Sequence, residues 1–344
     1  MTLITLLLVV VFGTIQEGEV PTRAIPPMYV AVASEPIDQF PYDGFTTTDA
    51  FGRTIRFYLS KPPGPDSLLP LIVCVQGSGS QSVFVEVETP SGKRIGSGGP
   101  EAMMLGLARS RARILVVEKP GVEFLVQPSQ PGSAMESTEE FRREHTLDRW
   151  TEAIHAAINA ASVLPGVDAS RVLAVGHSEG GQVVCHLAAK NASITHVATL
   201  AGGGPTQLFD LIELARSSGF GPPNADAEER VEWLLDGWRR VLGDPDAHDE
   251  FWLGHPHRRW SSFLATSPVE AMHKSKARVF IAQGTADQAS HVSAAEVLYA
   301  ELLSRGRDVT YLRIEGGDHG FRSPADADGW KSVHSNVLAW FLGE

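Results

Sequence analysis

From residue 46 onward the chain alternates short apolar runs with amphipathic stretches, and this alternation narrows the available folds more than any other feature. The runs at 68–75 (LLPLIVCV), 113–117 (RILVV), 171–175 (RVLAV), 196–201 (HVATLA), 277–282 (ARVFIA) and 309–314 (VTYLRI) are mostly continuous. Continuous runs suit the interior strands of a parallel sheet, which is covered on both faces. The run at 53–59 (RTIRFYL) alternates with period two instead, as a half-buried strand near a sheet edge does. Between the runs, apolar residues recur every three or four positions. Trp150, Ile154, Ala157, Ile158 and Ala161 do so within 147–164, and 293–303 and 330–341 behave likewise. Strand and helix alternating along most of the 344 residues predict an α/β fold with a doubly wound, mostly parallel sheet.

One segment breaks the rhythm. Residues 205–276 contain no convincing strand, yet hold Trp233, Trp238, Trp252 and Trp260, four of the seven tryptophans. Val231, Leu234, Leu235, Trp238 and Val241 give one helix an apolar stripe, with Asn224 or Asp226 as its N-cap. An all-helical insertion between strands reads as a lid over the carboxyl edge of the sheet, where ligands of such folds bind. Trp233, Trp238 and Trp252 are then the expected substrate contacts. The plainer reading is a helical decoration packed on the core. The organisation expected is a signal peptide at 1–18, a core formed by 19–204 and 277–344, and a lid at 205–276.

The chemistry concentrates at Gly176-His177-Ser178-Glu179-Gly180-Gly181, which follows the run RVLAV and precedes the helical stretch QVVCHLAAK. A G-x-S-x-G at a strand-to-helix turn forms a nucleophile elbow, whose strained geometry lifts the serine oxygen above the sheet. A serine hydroxyl needs a general base, and that base needs an orienting carboxylate. The run ARVFIAQG opens into Thr285-Ala286-Asp287-Gln288, and VTYLRIEGG opens into Asp318-His319-Gly320-Phe321. Asp287 and His319 therefore both fall just past strand ends, on the edge where Ser178 stands. Asp318 competes for the acid role, but adjacent residues rarely fold back to meet. His177, beside the serine, is expected to pack or to hydrogen-bond, while Asp326 and Asp328 look like caps of the last helix.

Acyl transfer also requires backbone donors aimed at the developing oxyanion. The amide of Glu179 is one. The loop Gln76-Gly77-Ser78-Gly79-Ser80, after the run LLPLIVCV, offers the other at Ser78. The same glycine-rich loop could cradle a phosphate, but it lacks the GK[ST] ending of a Walker loop.

With Ser178, Asp287, His319 and the loop at 76–79 in view, the chain resembles the α/β-hydrolase superfamily. The GHSEGG elbow and the stretch HTLDRW at 145–150 are similar to the branch of dienelactone-hydrolase-like, prolyl-oligopeptidase-like and serine-aminopeptidase-like enzymes. The likeness covers roughly 45–204 and 277–344 and leaves out the lid. Gln76 stands where a His is frequent, and Lys119-Pro120-Gly121 where an Arg-Gly turn is common.

Three functions compete. The first is a serine hydrolase cleaving carboxylic esters or thioesters, with Ser178, His319 and Asp287 as triad and no cofactor. The second is a peptidase of the aminopeptidase kind on short peptides, with Glu228, Glu229 or Glu232 anchoring the substrate amine. Acids in a first helical turn more often just complement the helix dipole. The third is a binding module on a hydrolase fold, which would be expected to lose a triad member. Acids outnumber bases by 41 to 29, so nucleic acid is repelled rather than gathered. The ten-residue apolar run at 3–12 (LITLLLVVVF) is too short to span a bilayer, which needs about 20 residues. It suits the apolar middle of a secretory signal, giving an exported protein, although no Lys or Arg precedes it. Cys74 and Cys185 read as buried thiols. His248, His255 and His257 with Asp246 and Asp249 read as solvated loop rather than a metal site. Nothing in the sequence sets an oligomeric state.

Overall fold

The computed structural model describes residues 29–344 except 38–39, 65–66, 91 and 218–219, so the expected signal segment lies outside the described residues. Strands β1 (Val32–Ala33), β2 (Tyr42–Thr48), β3 (Thr54–Ser60) and β4 (Leu69–Val75) lead into a hairpin of β5 (Phe84–Thr89) and β6 (Gly92–Ser97). Helix α1 (Pro100–Ala108), β7 (Arg113–Val117), α2 (Glu139–Glu144) and α3 (Leu147–Ala161) follow, then β8 (Val167–His177), α4 (Glu179–Lys190) and β9 (His196–Leu200). The segment without expected strands holds α5 (Gln207–Ser217), α6 (Ala227–Gly243), β10 (Phe251–Trp252), β11 (His255–Pro256), α7 (His257–Leu264) and α8 (Pro268–Lys274). The chain ends with β12 (Arg278–Gly284), α9 (Val292–Ser304), β13 (Val309–Ile314) and α10 (Gly329–Leu342).

Nine strands form one sheet in the order β1-β2-β3-β7-β4-β8-β9-β12-β13. The strands from β7 to β13 are parallel, and β1, β2 and β3 add an antiparallel edge. Side chains on a strand alternate between its faces. Leu71, Val73 and Val75 thus join one core with Val172, Ala174 and Leu115, while Ile72 and Cys74 join another with Leu173, Val175 and Val116. Helices α3, α4, α8 and α9 cover the first face, and α1 and α10 cover the second. This is the doubly wound sheet that continuous apolar runs require. Each such fully buried Val, Leu or Ile stabilises the fold by about 1.5–3 kcal/mol. Cys74 and Cys185 lie buried and free on opposite faces, so no disulfide joins them.

The segment 205–276 departs from the all-helical expectation in two ways. A hairpin of two-residue strands interrupts it, turning through Leu253 and Gly254, both at positive φ (45° and 78°). That is the backbone hand a tight two-residue hairpin favours, and strands so short leave no periodic signal. Its C-terminal part also belongs to the main core. Phe263, Val269 and Met272 pack into the first face of the sheet, whereas Ala215, Val231, Leu234, Val241, Trp252, Trp260 and Leu264 form a separate cluster. Asp226, not Asn224, caps α6, in a reciprocal capping box with Glu229.

Candidate active site

Strand β8 ends at His177 and α4 begins at Glu179, so Ser178 makes the turn alone, at φ 58° and ψ −125°. A non-glycine residue held there stores roughly 1–3 kcal/mol of strain. The turn closes only because its neighbours lack side chains: a Cβ at Gly176 would collide with the Gly180 carbonyl, and one at Gly180 with the Val75 carbonyl. Hydrogen bonds from Ser178 N to Leu200 O (2.9 Å) and from Gly181 N to Ser178 O (2.9 Å) fix the elbow to the sheet and to its own helix.

Asp287 sits after β12 and His319 after β13, adjacent parallel strands whose following loops are tied by Thr285 N to Ile314 O (3.0 Å) and Ala286 N to Gly317 O (2.9 Å). The pair meets, with His319 Nδ1 at 2.8 and 3.0 Å from the two Asp287 carboxylate oxygens. Asp287 is fully buried and also accepts from Ala289 N (2.8 Å), Ser290 N (3.0 Å) and Gln283 Nε2 (2.9 Å). These donors fix its orientation. Asp318 is occupied elsewhere: its Oδ1 accepts from Gly320 N and Arg322 N, both at 2.9 Å, and so closes its own turn. His319 and Ser178 line one cavity of about 570 Å³, together with Ser78, Gln81, Glu101 and Trp330, without a direct hydrogen bond between ring and hydroxyl. Nucleophile–base bonds are frequently long before substrate arrives.

His177 serves the packing role expected of it. Its Nε2 donates to the His319 carbonyl at 2.8 Å, and its ring lies 4.6 Å from the His319 ring and 4.8 Å from Trp330. Burial first, and the His319 ring next, bring its pKa down to about 4, so it is neutral at pH 7.

Both expected amide donors are free. Among the described residues no hydrogen bond uses the amide of Ser78 or of Glu179. The loop of Ser78 touches the elbow: a Cβ at Gly77 would lie 3.5 Å from the Ser178 Cβ. Gln76 anchors that loop's start through Nε2 to Val117 O (3.2 Å).

Beneath the elbow lies a charged cluster that sequence reading missed. The Glu179 carboxylate, 1% exposed, is ion-paired to Lys119 (3.5 Å) and Arg259, and accepts from His145 Nε2 (3.1 Å). Lys119 Nζ also donates to Gly77 O (2.6 Å) and Gly79 O (2.9 Å), so its three donors are matched by three acceptors. Burial alone would raise Glu179, but Arg259, Lys119 and His145 outweigh it and hold the carboxyl well below its usual range. Burial takes His145 down to about 4 and lowers Lys119 and Arg259 as well. The only signal for this cluster was charge in apolar company, a Lys closing the run RILVVEK and a Glu inside the elbow.

The expected tryptophan contacts need correction. Trp233, Trp238 and Trp252 line neither cavity that reaches Ser178. They pack into the cluster of α6, where Trp252 meets Trp260 at 5.3 Å, Trp233 meets Phe220 at 5.8 Å, and Gly237 leaves room for the Trp252 ring. Aromatic side chains on an apolar stripe bury against their own neighbours first. The three candidate amine anchors are also engaged: Glu228 pairs with Arg216, Glu232 with Arg239, and Glu229 closes the capping box. His255 is buried edge-on to Trp260 and held by burial at about 3. Among the described residues no three His, Cys, Asp or Glu side chains gather as a metal site, and no helix is long and apolar enough to cross a membrane.

A family model described as "Alpha/beta hydrolase family" matches residues 97–329. No curated protein matches the chain. Among solved structures, the fold is shared with Est1E from Butyrivibrio proteoclasticus (TM-score 0.54, 17% identity, covering 88% of this chain and 99% of that one). It is shared also with an acetyl xylan esterase from Paenibacillus sp. R4 (0.58, 15%, 93% and 89%). A third likeness is to Porphyromonas gingivalis dipeptidyl peptidase 4 (0.56, 14%), where 88% of this chain spans only 35% of the peptidase.

Proposed function

Starting from the membership of this chain in the alpha/beta hydrolase family, we propose that it is a serine hydrolase that cleaves carboxylic esters or thioesters through an acyl-enzyme. Ser178 Oγ attacks the acyl carbon while its proton passes to His319 Nε2. Asp287 holds the ring through Nδ1 and stabilises the imidazolium. The tetrahedral oxyanion lies between the amides of Glu179 and Ser78. The carbonyl reforms as the alcohol or thiol leaves with the proton from His319. Water then attacks the acyl-enzyme, giving its proton to the same nitrogen, and Ser178 departs with that proton as the acid is released. The observation that carries this reading is the Asp287–His319 pair, whose ring lines one cavity with a serine held at positive φ.

Glu228, Glu229 and Glu232, the anchors expected for the aminopeptidase alternative, line neither of the cavities described at Ser178. An amine subsite has to come from another carboxylate.

The test is direct. Ser178→Ala lowers turnover of a p-nitrophenyl ester by a factor on the order of 10⁴ or more while the melting temperature holds, and a fluorophosphonate labels the peptide containing Ser178. Near-wild-type turnover, or label on another serine, removes the assignment.

A further inference from the structure

Among the described residues, a larger and a smaller cavity reach Ser178. The larger contains His319, which hands its proton to the leaving group, so the leaving group of a bound substrate lies there. The smaller, about 40 Å³, does not contain His319 and is lined by Gln182, Gly202, Gln207, Asp210, Pro268 and Ser290 beside Ser178. By exclusion it faces the acyl side. A water needs about 10–15 Å³ on this measure, so the space takes one small polar substituent and no chain.

Its walls present acceptors. Asp210 is 8% exposed, takes the His291 amide on Oδ1 and a hydrogen bond from the Ser290 hydroxyl, and forms no ion pair with a Lys or Arg among the described residues. Gln207 Oε1 is buried with no hydrogen-bond partner. The nearby donor, Gln182 Nε2, is already bound to Phe263 O at 2.9 Å. One unmatched amide oxygen beside a buried carboxyl that has hydrogen-bond donors but no ion-paired Lys or Arg suits a compact cation rich in N–H donors.

We propose that this cavity is an ammonium subsite, and that the chain acts on acyl groups bearing an α-amine, as aminoacyl esters or N-terminal aminoacyl amides. The inference rests on the acyl-enzyme reading above and names its substrate class. Burial raises Asp210 to about 7, and a bound ammonium supplies the countercharge that the protein does not. Asp210 lies at the start of α5, ahead of the residues on α6 where an anchor was sought from sequence.

Alanine ethyl ester and ethyl propionate differ only by the ammonium group. Hydrolysis of both is followed by proton release, for the full chain and for Asp210→Asn and Gln207→Leu, each checked for its melting temperature. Relative to the spontaneous hydrolysis of each ester, which the electron-withdrawing ammonium group speeds for the alanine ester, the wild type favours the alanine ester by about 10- to 100-fold in kcat/KM, the range of one charge-assisted hydrogen-bond set. Asp210→Asn brings this ratio close to one, chiefly through KM, and Gln207→Leu reduces it in part. A wild-type ratio near one, or a ratio that survives Asp210→Asn because both esters lose equally, overturns the proposal. Calorimetry on Ser178→Ala reads the subsite without turnover: selective binding of the alanine ester supports it, and equal or absent binding of both esters refutes it. Full activity in Ser178→Ala would instead sink the nucleophile assignment and leave these binding results to stand for the subsite.

Discussion

Replacing Lys119 with methionine isolates what the buried cluster does for the elbow. The substitution keeps most of the volume and removes three contacts: Gly77 O at 2.6 Å, Gly79 O at 2.9 Å and Glu179 at 3.5 Å. Breaking one partner out of a buried ion pair costs about 3–5 kcal/mol, because the remaining charge is left uncompensated. Here Arg259 and His145 stay on Glu179, which puts the loss at the low end, about 3 kcal/mol. That corresponds to a fall in melting temperature of about 6–12 °C for a chain of this order of size. The catalytic effect is separate. With Gly77 and Gly79 released, the Ser78 amide between them loses its fixed position, and loss of one oxyanion donor costs about 10²–10³ in kcat. Steady-state hydrolysis of a p-nitrophenyl ester below the melting transition should show kcat lowered by about 10², with KM little changed. Lys119→Arg keeps the charge and should recover part of the rate. A Lys119→Met enzyme that melts early yet turns over at the wild-type rate would show that the cluster holds the fold together and does not position the oxyanion loop.

Two further outcomes follow from the same geometry. Asp287→Asn should reduce kcat by about 10⁴, since an amide facing Nδ1 favours the wrong tautomer, whereas Asp318→Asn should change it less than tenfold; the reverse order would reassign the acid. Stability should fall as pH drops from about 6.5 to 4. Burial holds His145, His177, His186, His196 and His334 at about 4 and His255 at about 3, below their ordinary 6.5, so in this window the unfolded chain binds more protons. Glu118 and Asp210, raised by burial to about 7, act in the opposite sense but are fewer. A melting temperature that is flat or rising between pH 6.5 and 4.5 contradicts this balance.

The seven strand runs read from the sequence all became strands, because each packs apolar side chains against a core, the edge strand β13 through half-buried Val309, Tyr311, Leu312 and Ile314. The meeting of Asp287 with His319, in reach of the cavity that Ser178 lines, was legible for a related reason. In a parallel sheet every strand ends at the same edge, so residues just past strand ends are placed together by topology alone. The β5–β6 hairpin was passed over although 84–89 alternates (FVEVET), and β10–β11 was too short to show a period. The tryptophans misled because abundance of aromatic surface says that something is buried, not what buries it. Lys119, His145, Glu179 and Arg259 were invisible because an ion cluster has no period: its members come from four separate elements and loops, and only the fold brings them within reach.

That cluster changes what the insertion is. Arg259 belongs to α7, and it pairs with the side chain of the residue whose amide is proposed to hold the oxyanion. Glu179 therefore faces two ways, amide toward the cavity and carboxylate toward Lys119 and Arg259. A segment that merely covered the sheet could be deleted at the expense of substrate preference alone. Deleting α7 would instead leave a buried carboxylate with Lys119 as its remaining cation, on the residue next to Ser178. Segment 205–276 is in this sense two things: a peripheral helical unit with its own tryptophan-rich core, and a C-terminal part that is a structural member of the site. Substrate range should vary with changes in α5, which lines the smaller cavity through Gln207 and Asp210, and the catalytic rate itself with changes in α7.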